Sequence, residues 1–371
     1  MIKINFPADK KERKAMEERF FNALLANFNE AIINNHITGL IYKGENINLR
    51  RILTASFDDL TEIKQIIEAS FLGNVLTYES FCNEFSYDNQ RITLYNFFID
   101  EDIRGNISLH SCYYCNLDFI NIYDSISGYC NKVDFLNRAR KDELLSISGI
   151  GIKTIEKIFI ERNQQAIRDL SLNFLSPAKR KSVINYKFIQ KKGIFTLDHF
   201  YPQHSFQMLS TSLYNLIPSC SPCNSRFKHA ADFIIGKNST YLSPSSDNYV
   251  LEEFEVFTLL FRSGKNIGNV KSINDINLIY DGYMFGQEEY IELFNIPARY
   301  SFHMKEALKL ILKFQKYPKS YIKEIERTLK KSISGQTIEK DLFGEDLYEK
   351  SSNKPLSKLR RDIAKQIGLI E

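Results

Sequence analysis

Apolar residues recur at helical spacing early in the chain. Met16, Phe20, Ala23, Leu24, Phe28, Ile32 and Ile33 fall near a 3.6-residue period between Lys11 and Asn35, which predicts a long amphipathic helical stretch. Asp58 or Asp59 is placed to cap a second helix running through Ile66 to Phe71. The same periodicity returns late. Ser301–Lys316 and Ser320–Ile333 alternate apolar and basic residues on either side of Pro318, and Leu356–Leu369 reads as a short basic amphipathic helix. Polar stretches from Gly236 to Asn248 and from Gly344 to Pro355 read as loops. The pattern divides the chain into a mostly helical region 1–105, a middle region 106–233, and a second helical region 234–371.

Composition narrows the class. A chain of 371 residues, 43% hydrophobic and 25% charged, is long enough for two or three globular domains. No apolar run approaches the roughly 20 residues that span a bilayer. The N-terminal stretch lacks an apolar signal core with a small-residue cleavage site. A cytoplasmic protein without membrane association is therefore expected. In that compartment six cysteines point to metal rather than to disulfides. The net charge of +4 is unevenly spread: Asn131–Gly193 holds fourteen Lys/Arg against six Asp/Glu. A concentrated basic window suits a polyanion such as nucleic acid, although a solvated helical surface would look the same.

The chemistry sits in the middle region. Two C-x-x-C pairs occur, Cys112/Cys115 and Cys220/Cys223. A two-residue gap lets both sulfurs reach one tetrahedral ion, and two such pairs complete a closed Cys₄ structural zinc site. His110 is an alternative ligand, and Cys82 and Cys130 are left without a role. Downstream, Asp198-His199, Pro202, Asn215-Leu216, Cys220-x-x-Cys223-Asn224 and Lys228 follow within about 35 residues.

This arrangement resembles the HNH endonuclease motif, with its three signature positions at His199, Asn215 and Asn224. The resemblance implies an α+β chain with a ββα-metal core, a β-hairpin followed by a helix around one divalent ion, flanked by mainly helical regions. It implies His199 as general base and Asp198 with Asn224 as ligands of Mg²⁺ or Mn²⁺. His229 ranks second as a ligand. Asn215 would pin the hairpin loop and so orient His199, while Arg226 or Lys228 would contact a substrate phosphate, with His204 a loop residue near it. These residue types suit phosphodiester hydrolysis: a neutral imidazole can take a proton from water near pH 7, and a hard cation with oxygen ligands offsets charge at the phosphate. More loosely, the local sequence is similar to HNH effectors of bacterial phage-defence systems, often found beside an ATPase. That likeness implies an ATPase partner. The aromatic and apolar residues Phe254, Phe257, Leu259, Leu260, Phe261, Tyr280, Tyr283, Phe285 and Tyr290 are candidate docking anchors or, equally, buried core.

The gap between the cysteine pairs holds Phe135–Asn163, which resembles a helix-hairpin-helix DNA-binding motif. Helices are expected at Asn137–Leu145 and Lys153–Arg162, joined by Ser148-Gly149-Ile150-Gly151. Glycines permit positive φ and close approach to a phosphate, a helix N-terminus favours an anion, and Lys153 adds a full charge. Such a motif grips the DNA backbone without reading bases. Two other functions are weighed against the nuclease. One is a zinc-stabilised DNA-binding module with no catalytic centre. The other is a helix-hairpin-helix glycosylase/lyase, for which Lys153 and Asp169 are the matching residues.

Overall fold

The structure is a computed structural model describing residues 2–100, 107, 109–125, 128–145, 147–186, 190–229, 239–249, 255–280, 287–329, 333–349 and 353–370. It is α+β, with helices and small two-stranded antiparallel sheets among the described residues. None of the described helices is long and apolar enough to cross a membrane. The chain forms two compact units, one of Met1–Asn121 with Ile194–Glu371 and one of Ile122–Gly193. The boundaries expected at 105/106 and 233/234 lie outside the described residues.

In the larger unit, Asp9 starts the first helix, Lys10–Leu25, by accepting from the Lys11 and Glu12 N–H groups. The apolar pattern runs on past Leu25, but the helix does not. Asn29 accepts from Ile32 N–H at 3.3 Å and opens a separate helix, Glu30–His36. A short polar side chain that bonds its own backbone offers an alternative to continued helix. Ser56, not Asp58 or Asp59, precedes the helix Phe57–Ser70, and the two acids occupy its first turn, where the helix dipole favours negative charge. The helix Tyr87–Ile99 follows, burying Leu94, Phe97 and Phe98.

The strands Thr196–His199 and Leu216–Ser219 pair antiparallel, with Asp198 opposite Ile217 and His199 opposite Leu216. A π-helical segment, Pro222–Lys228, follows directly. The order is strand, strand, helical segment, and the last is π-helical where the resemblance implied an α-helix.

The C-terminal part departs from the helical expectation. Phe257–Phe261 and Ile276–Tyr280 form an antiparallel strand pair, with Phe257 and Leu259 buried and Leu260 outside. This alternation of period two is what a half-buried strand requires. Phe257, Leu259 and Tyr290 are therefore core, not docking anchors. Phe254, Tyr283 and Phe285 lie outside the described residues. The helices Met304–Lys316 and Lys319–Thr328 flank Pro318 as expected. The last helix, Ser357–Gln366, is not a surface element. Lys358, Arg361 and Asp362 are buried. Asp362 accepts the Val256 and Phe257 N–H groups and pairs with Lys358 at 2.8 Å, so the helix uses its charges to hold the edge of that sheet.

The smaller unit begins and ends in one strand pair, Ile122–Ser125 with Gln190–Gly193, in which Ile122 faces Gly193. Its core gathers Phe135, Leu136, Leu144, Ile147, Ile150, Ile155 and Ile158. Two short helices, Lys132–Arg138 and Lys141–Leu145, replace the single one expected at Asn137–Leu145. Ala139 is extended, and the Arg140 N–H donates to Glu143 Oε2 at 2.8 Å, which starts the second. The following helix is Ile152–Gln164. Gly149 has φ 79° and needs the freedom of glycine. Gly151 does not: its φ is −105°, an ordinary value for the residue that caps a helix.

Candidate functional site

Cys112 and Cys115 stand in a tight turn closed by the Asn116 N–H donating to the Cys112 carbonyl at 2.7 Å, with Asn116 at φ 53°. Cys220 and Cys223 stand where the strand Leu216–Ser219 passes into the π-helical segment. All four are buried, and their sulfurs lie within 4.8 Å of one another. A tetrahedral ion with Zn–S bonds of about 2.3 Å sets sulfurs roughly 3.8 Å apart, and Cys115 and Cys220 are at 4.0 Å. The four thiols are free of disulfides and fit a structural zinc ion. Donors surround them. The Leu117 N–H points at Cys115 Sγ (3.4 Å), and Arg299 reaches Cys223 Sγ (3.3 Å) and Asp118 (3.0 Å). A cation and an N–H beside thiolates offset the negative charge of a Cys₄ centre. Arg299 carried no signal in the sequence. His110 is outside this group, as are Cys82 and Cys130.

Next to this centre a cleft of about 770 Å³ is lined by Asp198, His199, His204, Asn224, Lys228 and His229. The antiparallel register puts Asp198 and His199 at the end of their strand. Successive strand residues point to opposite faces, which sends Asp198 inward, 4% exposed, and leaves His199 half-buried at the cleft. His199 Nε2 lies 2.9 Å from the Ser210 carbonyl. A carbonyl only accepts, so Nε2 carries the hydrogen and Nδ1 keeps the lone pair. Burial, aided by the Lys228 charge, pushes the imidazole down to about 4 against the pull of Ser210, so the ring is neutral at ordinary pH. Tyr87 packs edge-on to it, with ring centroids 4.5 Å apart.

Asn215 is fully buried and does the holding. Its Oδ1 accepts from Tyr201 N–H (2.8 Å), and its Nδ2 donates to the Tyr201 and Leu209 carbonyls (3.2 and 3.0 Å). Both ends of the loop that carries Ser210 are thereby fixed, and with them the acceptor for His199.

Asp198 meets two partners that sequence spacing did not suggest. Tyr114, between the first two cysteines, donates its hydroxyl to Asp198 Oδ2 at 2.5 Å. Lys228 lies 3.1 Å from the same carboxylate and donates to the His199 carbonyl at 2.6 Å. Burial nonetheless pushes the Asp198 carboxyl up. The expectation that Lys228 meets a substrate phosphate is corrected here. Its side chain is 1% exposed, and its ammonium compensates a buried carboxylate instead of facing solvent. Removing one partner of a buried pair leaves an uncompensated charge, at a cost of about 3–5 kcal/mol. Lys228→Met should therefore lower unfolding stability by about that much, and Asp198→Asn in the same chain should recover most of it. Denaturant melts of the single and double variants would check this, and equal stability of Lys228→Met and wild type would contradict the pairing.

Asn224 lies half-buried at the cleft wall, His229 is exposed with φ 46°, and Arg226 is exposed. Asp198 and Asn224, the two oxygen-bearing side chains expected to hold a catalytic metal, both border the cleft. The Lys228 ammonium already shares the Asp198 carboxylate. In the smaller unit, Lys153 is exposed in the first turn of its helix, two residues after Gly151, and Asp169 accepts from Ser171 N–H at 2.7 Å. Compared with known proteins, the chain matches no family model, no curated protein and no solved structure.

Proposed function

We propose that the chain is a metal-dependent endonuclease of the HNH kind, acting on DNA. The observation that carries this reading is the fixed position of His199. Its Nε2 hydrogen is committed to the Ser210 carbonyl, Asn215 holds that loop, and the ring borders the same cleft as Asp198 and Asn224. An imidazole so held is a general base whose Nδ1 can take a proton from water. Asp198 and Asn224 would hold a divalent cation, which would offset charge on the phosphate and leaving oxygen. His229 is the second choice as ligand. Arg226, exposed and two residues after Asn224, is left as the cation for a substrate phosphate. A role as effector of a phage-defence system with an ATPase partner rests on sequence likeness alone.

Supercoiled plasmid incubated with Mg²⁺, with Mn²⁺ and without either is the test. Nicking or linearisation only with metal supports the reading, and no cleavage in any of the three, of plasmid or of a bubble-containing duplex, would end it. The Asp198–Lys228 pair favours the second reading, a zinc-stabilised DNA-binding module, because it satisfies the carboxylate without a metal. That reading predicts DNA binding with no cleavage.

The smaller unit is proposed as the sequence-independent grip. Its hairpin places Gly149 at positive φ ahead of a helix start with exposed Lys153, an arrangement suited to a phosphate. Lys153→Ala should weaken binding to all duplexes alike and reduce the slope of log affinity against log salt by about one. Gly149→Val, strained in the backbone, should lose more affinity than Gly151→Ala. Fluorescence anisotropy across a salt series would check both, and a changed sequence preference at unchanged affinity would contradict them.

A further inference from the structure

A second cavity, of about 890 Å³, lies against the helix Tyr87–Ile99. Tyr87, Arg91 and Tyr95 recur every four residues and so share one face of that helix, and all three line the cavity. Phe195, Thr196 and Leu197, the residues leading into Asp198 and His199, line it too. Tyr95 stacks on Phe195, with centroids 5.0 Å apart and planes 20° apart. Tyr87 contacts the His199 ring. Asn224 lines both this cavity and the cleft already described, so the groove leads to the candidate catalytic position. At its rim Arg91 is exposed, and Ile92 stands 76% exposed.

The chemistry of the lining selects an occupant. One arginine, with the Asp88 carboxylate also in the wall, is too little positive charge for a bare phosphate site. The aromatic and aliphatic lining suits a planar apolar group that can extend the Tyr95–Phe195 stack. Arg91 suits the backbone beside it, and Asp88 can accept from an exocyclic amine. A nucleobase in a perfect duplex cannot offer its face. An unpaired base can, and stacking on aromatic side chains is how single strands are held without sequence preference.

We propose that this groove binds unpaired nucleotides flanking the scissile phosphate, so that the preferred substrate is DNA with a single-stranded or distorted segment rather than intact duplex. This rests on the nuclease reading for the meaning of the site, but it can be tested by binding alone.

The full-length, zinc-loaded protein would be titrated without added Mg²⁺ into three labelled DNAs: a duplex, the same duplex with a central bubble, and the bubble with abasic sites in place of its bases. Stacking of one base corresponds to roughly 5- to 150-fold in affinity. The bubble should bind tighter than the duplex by about that factor, and the abasic bubble should lose the gain. Tyr95→Leu, which keeps Phe195 covered, and Arg91→Ala, at an exposed position, should each shrink the preference while leaving duplex affinity unchanged. Equal affinity for bubble and duplex overturns the proposal, as does a preference that survives both substitutions. A wild type that cuts plasmid yet shows no preference removes the groove and leaves the nuclease. A wild type with a Tyr95-dependent preference but no cleavage leaves the groove and removes the nuclease.

Discussion

Removal of zinc should unfold the larger unit, not merely slow it. The four sulfurs come from two segments far apart in sequence, Cys115 and Cys220 being separated by 105 residues. Tyr113 and Tyr114, between the first pair, are among the largest fully buried side chains. Structural zinc in small domains contributes an apparent ~10–16 kcal/mol near neutral pH, comparable to or larger than the whole stability of an ordinary domain. Elemental analysis should find about one zinc per chain. A strong chelator, or Cys220→Ser, should lower the melting temperature by more than about 10 °C and broaden the transition. The loss should reach Asp198 as well, because the hydroxyl that holds it belongs to Tyr114. Protein purified without chelator that contains no zinc, or that melts unchanged after chelation, would defeat the assignment.

His199→Ala should lower metal-dependent cleavage by about 10²–10⁴-fold, the usual cost of losing an essential base. Zinc content and melting temperature should stay close to wild type, since His199 lies outside the cysteine cluster and gives up one hydrogen bond and one ring contact. His199→Gln should be as inactive, because an amide cannot serve as a base near neutral pH. A His199→Ala protein that nicks plasmid at the wild-type rate would falsify the general-base role and return weight to the binding-module reading.

What could be read from the sequence was whatever is encoded at short range. The paired cysteines declare themselves by spacing, and the residues from Phe195 to Lys228 carry the family resemblance that implies strand, strand and helix. Asn215 touches Tyr201 and Leu209 within fourteen residues, so its loop was within reach of local reasoning. Tyr87, Tyr114 and Arg299 were out of reach. Each meets the site across a long sequence separation, 84 residues for Tyr114 and Asp198, and no periodicity marks such a contact. Lys228 misled for a different reason. A lysine reads as a surface cation unless its burial is known, and burial here is set by packing around Asp198. The C-terminal strands were missed because Phe257–Phe261 is a short apolar run, which periodicity alone cannot tell from a buried helix.

The strand pair that opens and closes the smaller unit bears on how the molecule folds. Because Ile122 faces Gly193, a folded insertion behaves, for the rest of the chain, as a short bridge rather than a long tether. Bringing Cys115 to Cys220 then means closing an effective loop of about 35 flexible residues instead of 105, a saving of roughly 1 kcal/mol in loop-closure entropy. If the insertion forms first, capture of zinc by the second cysteine pair would be a near-local step. Pulsed hydrogen exchange should find amides of Ile152–Gln164 protected before those of Leu216–Ser219.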